Sequence, residues 1–590
     1  MSIAPAPKNA SSPDFISGLI DDQQSLTAVE RFSALHESGD LDHGVPAQEK
    51  YYRDLLPASP PSPSKQFAFE VDLDKCSGCK ACVVACHTMN GLEEDESWRR
   101  VGTLTIGAPA ETETQTMKEP TAPVTMLPMI QHVTTACHHC EDPGCLNGCP
   151  VKAYDKDPVT GIVRHLDDQC IGCKYCMMMC PYEVPKFSKR LGIVRKCDMC
   201  HQRLSVGEAP ACVQACPNEA IAIRTVPREQ AIDPLDRIAP GAPLSTITKP
   251  STRYVGRGFE IDPSSDLNAV TSTPQDAGVD EVAESHWPLA VLLVATQISV
   301  GMILVERAFA TLAYLFGDSV DESLVRWNAT IALLIAGIGM NLAPLHLGQP
   351  LRAWRVFLGL RTSWLSREAV VLGKYVGLLA VAVGLLWMPH FADWVPESIQ
   401  SLIPVWAGTA TLAISIPVGL AGLYCSAMIY IATRRQLWCF SRTMIRFFGT
   451  TLIAGMSIAA SGCAASGNAA VALGLAASAA LLLVAKLVFE YRLLIQATDE
   501  ATSDDELSRF DDRARRLVRK SLWPVAQWRF GVAVVGGGLL LLGGALALVS
   551  PVFGCMLIAL GATLIAAGEF GERYLYFTSV VYDRMPGTFR

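Results

Sequence analysis

Sixteen of the twenty cysteines in this 590-residue chain lie between Cys76 and Cys216, and they constrain its folding more than any other feature. They form four groups: Cys76, Cys79, Cys82, Cys86; Cys137, Cys140, Cys145, Cys149; Cys170, Cys173, Cys176, Cys180; and Cys197, Cys200, Cys212, Cys216. A short turn between neighbouring cysteines presents both sulfurs to one metal centre, and three such thiolates grip one face of an iron–sulfur cubane. The fourth cysteine lies too far along to close the same cubane. In the run C-x2-C-x2-C-x3-C-P it typically ligates the other cluster of a pair. The first and third groups match that spacing, and Pro follows Cys149, Cys180 and Cys216. Sixteen cysteines could fill four tetrahedral zinc sites by count alone, but the three-plus-one spacing and the prolines favour iron–sulfur. Clustering at C-x2-C spacing without a secretory signal argues against disulfides.

Around these groups the chain divides into four parts. Residues 1–65 read as an extension, with a capping box at Thr27 and Glu30 ahead of one short amphipathic helix (Val29, Phe32, Leu35) and an extended tether at Pro57 to Lys65. Residues 66–226 form the cluster domain. Strands are expected at Phe67 to Leu73, Gly161 to His165 and Ala220 to Arg224, and the arrangement suggests an α+β doubled ferredoxin-like four-cluster domain. So few apolar residues make a poor core, so the metals must supply part of the folding free energy. Residues 227–286 are rich in Pro, Ser, Thr and Asp and read as a linker.

Residues 287–590 carry the apolar excess behind a mean hydropathy of +0.27. Eight apolar stretches follow Trp287, at roughly 288–316, 328–346, 368–388, 403–432, 445–463, 469–489, 530–548 and 552–570. A helix needs about 20 apolar residues to cross the hydrocarbon, so the expectation is an all-α polytopic membrane bundle of eight helices. Gly536 to Gly538, Gly543 and Gly544 would let helices approach closely. Arginines collect in the loops 347–367, 433–446 and 490–529 and in the tail, against only Arg326 on the opposite face. The positive-inside rule then puts the basic face, both termini and the cluster domain in the cytoplasm, on an inner (cytoplasmic) membrane. Much of 503–520 (Leu507, Phe510, Ala514, Leu517) reads as an amphipathic helix on the membrane surface or the bundle end. The N-terminus has no basic region before an apolar core and no twin arginine, so no export signal of its own is expected. A net charge of -8 without a basic, aromatic-rich stretch gives no reason to expect nucleic acid.

The four groups, with CHHCEDPGC at Cys137 to Cys145 and KCDMC at Lys196 to Cys200, resemble the iron–sulfur subunit of the dimethyl sulfoxide reductase family of molybdoenzymes. The membrane half resembles that family's anchor subunit through Trp287-Pro288-Leu289, Gln297, the run His346 to Ala353 (HLGQPLRA) and Ser363 to Glu368 (SWLSRE). The resemblance covers about residues 66–226 and 287–590 and implies two subunits fused into one chain. It implies four [4Fe-4S] clusters, held by Cys76, Cys79, Cys82 with Cys216; Cys197, Cys200, Cys212 with Cys86; Cys137, Cys140, Cys145 with Cys180; and Cys170, Cys173, Cys176 with Cys149. It also implies a separate molybdopterin-containing catalytic subunit as partner. A quinol site is expected near His346 and Glu368, with Arg367 and Gln297 helping to hold the headgroup.

Two function classes follow. In one, the chain oxidises membrane quinol and passes electrons through its clusters to an oxidoreductase partner in anaerobic respiration, the terminal substrate being a sulfoxide or, as an alternative, nitrate or another cytoplasmic oxidant. The chain itself is then a non-catalytic electron-transfer and quinol-oxidising subunit. No heme is expected, since only His286, His346 and His390 occur after residue 285, too few for two bis-histidine hemes. In the other, the bundle translocates protons through ionisable residues such as Glu306, Arg307, Lys486 and Glu490. For Lys486 and Glu490, near a helix end, snorkelling is the competing explanation. A purely structural anchor is a third possibility. Cys425, Cys439, Cys463 and Cys555 are scattered singly and read as small buried residues.

Overall fold

The computed structural model describes residues 52–106, 129–229, 232–234, 236–256, 272–274, 280–317, 320–394, 402–496 and 506–586. The helix expected around Thr27 to Leu35 lies outside these residues.

Strand β1 (Lys65–Asp72) is the spine of the cluster domain, because its buried Ala68, Phe69 and Val71 are the apolar floor beneath the cysteine loops. Strands β2 (Arg100–Ile106) and β3 (Met129–Thr135) pair antiparallel with each other. Two small hairpins follow, β4 (Tyr154–Lys156) with β5 (Val163–His165), and β6 (Lys186–Ser188) with β7 (Ile193–Arg195). Strand β8 (Ile221–Pro227) returns antiparallel to β1, setting Val71 opposite Ile221 and Phe69 opposite Ile223. Between the strands lie short helices α1 (Ala81–Met89), α2 (Gly144–Gly148), α3 (Tyr175–Met179), α4 (His201–Ser205) and α5 (Ala211–Gln214). Helices α1 and α3 start alike, each behind a left-handed lysine, Lys80 (φ 62°) and Lys174 (φ 59°), that follows a cysteine. That local likeness is the doubling expected from the spacing.

Within the stretch 227–286, read as a linker, the described strands belong to this domain. Strand β9 (Arg253–Val255) adds to the free edge of β1 in parallel, and β10 (Ser272–Pro274) pairs with β2. Ser251 donates through N and Oγ to the carbonyl of His138, while the amides of Glu141 and Asp142 donate to Lys249 and Thr248. The segment therefore roofs the second cysteine group. No periodicity announced it, because its bonds to the cluster loop are made by the backbone of Thr248, Lys249 and Ser251, and Ala239 and Ala242 enter the core beside Val71 and Leu73 as single small residues.

Among the described residues eight long apolar helices follow: α6 (Trp287–Leu315), α7 (Glu322–Leu342), α8 (Trp364–Trp387), α9 (Ala407–Ile431), α10 (Phe440–Ala465), α11 (Ala469–Leu494), then, after an amphipathic α12 (Glu506–Leu517), α13 (Trp523–Ala547) and α14 (Pro551–Thr578). All eight expected stretches are present. Helix α6 is buried along most of its length and packs on α7, α9, α10 and α14, so it is the axis of the bundle. It approaches α10 at Gly301 and Gly455, where a methyl on either would overlap the other backbone. Among the glycines singled out from sequence, Gly536 and Gly543 face α14 and Gly544 faces α11, while Gly538 faces open space. Helix α12 docks on the bundle end: Phe510, Ala514 and Leu517 are buried beside Trp438 and Tyr576, and Arg442 clamps Asp511 through two hydrogen bonds of 2.6 and 2.8 Å.

Lys486 and Glu490 do not snorkel. They belong to a buried charge network with Arg446 on α10, Arg529 on α13, and Glu569, Glu572 and Arg573 on α14, every member 4% exposed or less. Arg529 bridges Glu490 (3.0 Å) and Glu569 (2.9 Å), Lys486 pairs with Glu569 and with Thr450 Oγ1 (2.7 Å), and Arg446 pairs with Glu572. Proximity to a helix end misleads here because the side chains point inward, where only opposite charge compensates the lost hydration.

Candidate functional site

The cysteines come together in quartets drawn from different groups. Cys76, Cys79, Cys82 and Cys216 line one cavity, Cys86, Cys197, Cys200 and Cys212 another, and Cys137, Cys140, Cys145 and Cys180 a third. Cys149, Cys170, Cys173 and Cys176 face one another in a small apolar core with Ile171, Val151 and Val194. Burial pushes the Cys86 thiol up to about 12 and those of Cys180 and Cys200 to about 11. Such thiols become ligands only as a metal displaces their protons.

Shared neighbours put the quartets in a line. The phenol of Tyr154 faces Cys145, Cys149 and Cys176; Lys196 faces Cys137, Cys145 and Cys197; Arg99 faces Cys82, Cys86, Cys197 and Cys212. The order is therefore Cys149/170/173/176, Cys137/140/145/180, Cys86/197/200/212, Cys76/79/82/216. At the last quartet Cys79 is exposed.

The first quartet sits on the membrane half. Gly348 N and Gln349 N donate to the carbonyls of Gly172 (3.4 Å) and Ile171 (3.0 Å), in the loop between Cys170 and Cys173. Gly348 and Gly192 meet backbone to backbone, and Gly172, itself left-handed (φ +68°), closes the same contact. Arg352 donates to the carbonyls of Asp167 and Cys170, Arg355 to Asp168, Ser363 Oγ to Gly148 (2.7 Å) and Ser366 Oγ to Pro150 (3.2 Å). The arginine-rich loop 347–367 is thus the seat of the cluster domain. Tyr175, between Cys173 and Cys176, reaches into the bundle and donates to the carbonyl of Ile429 at 2.9 Å.

Glu368 is buried on α8, receives a hydrogen bond from Ser426 Oγ at 2.5 Å, and faces Tyr175 and Tyr430. His346 is half-buried in a 3-10 turn (Ala343–His346), its Nδ1 bonded to the carbonyl of Ala343, with His286 and Lys174 nearby. Arg367 and Gln297, expected to help hold the headgroup, have other partners here. Arg367 folds back onto the carbonyls of Leu360 (3.1 Å) and Arg361 (2.7 Å) and stacks on Trp364. Gln297 is fully buried and accepts from Arg573 at 3.0 Å, on the edge of the charge network. A guanidinium takes the nearest free carbonyls, and one turn of helix is enough to aim a glutamine at a different neighbour. Tyr175, Ser426 and Tyr430 escaped the sequence reading. Only the place of Tyr175 inside a C-x2-C turn signalled it.

Comparison with known proteins agrees with this division. Residues 129–226 match the family described as "4Fe-4S dicluster domain", and residues 282–578 match "DMSO reductase anchor subunit (DmsC)". The chain is 31% identical over 212 residues to the "Probable anaerobic dimethyl sulfoxide reductase chain YnfG" of Escherichia coli (strain K12), covering 36% of this chain and 98% of that one. It is 38% identical over 170 residues to the "Formate dehydrogenase, nitrate-inducible, iron-sulfur subunit" of the same organism, over 28% of this chain and 57% of the relative. It is also 35% identical over 164 residues to the "Hydrogenase-2 operon protein HybA" of Escherichia coli O157:H7, over 26% of this chain and 50% of the relative.

Proposed function

Because the chain belongs to the dimethyl sulfoxide reductase family, with that family's iron–sulfur and anchor subunits fused in one polypeptide, we propose that it oxidises membrane quinol and delivers the electrons to a molybdopterin-containing catalytic subunit. The observation that carries this reading is the contact at Tyr175. A carboxyl buried in the membrane half, Glu368, faces a side chain that lies inside the turn between Cys173 and Cys176. Quinol oxidation releases two protons with two electrons, so its site needs a hydrogen-bond partner for the hydroxyl and an acceptor for the proton. Glu368, oriented by Ser426, is the acceptor. His346, with Nδ1 occupied by Ala343, offers Nε2 to the hydroxyl. Arg367 and Gln297 then act through the groups they bond. Each cysteine quartet fits one [4Fe-4S] cluster, which when bound supplies one-electron transfer, and their linear order leads from Glu368 to the face around Cys79, where the partner docks. The basic face of the bundle is cytoplasmic in this reading, and the membrane is the inner one.

Two measurements test it. Anaerobically purified protein should contain about sixteen iron atoms and as much labile sulfide, by four per cubane; zinc without labile sulfide would refute the assignment. Glu368→Gln in the membrane-assembled complex should slow quinol oxidation by about 10²-fold or more, the usual contribution of a positioned base, and His346→Ala should slow it in the same direction. Reduction of the terminal oxidant by an artificial dye should persist in both variants. Loss of both activities together would make the residues structural, and retention of both would place the quinol site elsewhere.

A further inference from the structure

Two buried cations stand between the cysteine quartets, and among the described residues neither makes a direct ion pair with a carboxylate, although Asp198 faces Lys196 from two residues along. Lys196 is 2% exposed, and its Nζ spends its three donors on the carbonyls of Val163 and Cys197 (2.8 Å) and on Cys137 Sγ (3.6 Å), so it is held as an ammonium. Arg99 is also 2% exposed. Its Nη1 donates to Thr134 Oγ1 at 3.1 Å and its plane lies over Phe69, while Nε and Nη2 have no oxygen acceptor. Those two donors belong to a guanidinium that lines the cavity of Cys86, Cys197, Cys200 and Cys212. A charge buried without a counter-charge is costly, and removal of its partner is strongly destabilising. The negative charge nearest to Arg99 is that of the quartets, and for Lys196 it is that of the quartets together with Asp198.

We propose that Arg99 and Lys196 are the counter-charges of the electron path, each set between two adjacent clusters and raising the reduction potential of both. This rests on the reading that every quartet holds a cubane. A cluster gains one negative charge on reduction, so a fixed positive charge beside it favours the reduced form, and net charge and hydrogen bonds to sulfur are recognised controls of cluster potential. Arg99 acts on the Cys76/79/82/216 and Cys86/197/200/212 sites. Lys196 acts on the latter and on Cys137/140/145/180. The third junction holds the neutral Tyr154 instead. Lys174, beside the membrane-proximal quartet, is already neutralised by Glu284 at 2.5 Å.

The test is a redox titration of the full-length protein followed by electron paramagnetic resonance, with iron and sulfide analysis of each sample. Lys196→Met and Arg99→Met should each lower two of the four midpoint potentials, by about 59 mV or more, equal to a tenfold change in a one-electron equilibrium. One midpoint should fall in both variants and one should move little in either. Lys196→Arg and Arg99→Lys, which keep the charge, should leave all four close to their original values. Full iron with unshifted potentials, a uniform shift of all four, or charge-keeping variants that shift as far as the Met variants would each overturn the proposal. Loss of iron from the Met variants would also overturn it, making the two residues part of the scaffold. A wild-type protein with fewer than four clusters would instead refute the reading on which the proposal rests.

Discussion

Arg529→Leu is expected to lower the thermal unfolding midpoint of the detergent-solubilised protein sharply. Arg529 is fully buried and bridges Glu490 on α11 to Glu569 on α14, so its removal leaves two carboxylates in the bundle interior with only Lys486 between them. Breaking such a pair from one side costs about 3–5 kcal/mol, a large part of the roughly 5–15 kcal/mol by which a domain is stable. Arg529→Leu combined with Glu569→Leu should recover part of the loss, because the second substitution removes a stranded charge. A midpoint unchanged in the single variant would mean that the network contributes no cohesion. The same result would reopen the proton-translocating reading, since charges that do not hold the bundle together need another reason to be buried.

Gly348→Ala should separate quinol oxidation from cluster reduction without loss of the clusters. The added methyl would overlap the carbonyl of Gly192 and force the loop after His346 away from the turn that carries Cys173. Overpacking of this kind costs about 1–3 kcal/mol, and one or two kcal/mol drawn from the docked arrangement lowers the ratio of docked to undocked forms by a factor of about 5–30. Stopped-flow reduction of the clusters by quinol should slow accordingly, while iron content and reduction by a dye stay at the original level. Gly373→Ala on α8, where a methyl would meet nothing within 4 Å, is the control. Equal rates in both variants would show that the Gly192–Gly348 contact is not what couples the two halves.

The sequence alone was enough for the parts of this protein whose signal is local. Eight apolar stretches of about 20 residues can be satisfied only by helices in hydrocarbon, and all eight helices are present. Iron–sulfur chemistry was legible because three thiolates per turn is a constraint of backbone geometry, written into C-x2-C spacing. Which cysteine completes which quartet came from family resemblance, not from spacing, and the assembly of Cys86 with Cys197, Cys200 and Cys212 is a tertiary event between residues far apart in the chain. The roof formed by 239–256 stayed hidden for a related reason. Its contribution is backbone hydrogen bonding to strand edges and cluster loops, which leaves no hydrophobic period. Side-chain direction decided the rest. Gln297 and Glu368 both lie on apolar helices, and only the packing of α6 against α14 and of α8 against α9 turns one toward Arg573 and the other toward Ser426 and Tyr175. Nothing in the local sequence around Arg99 and Lys196 marks them as buried cations. They lie between cysteine quartets only because β1 and β3 pack under one and the β5 backbone closes over the other, and no local pattern encodes which long side chain will be trapped when two distant segments meet.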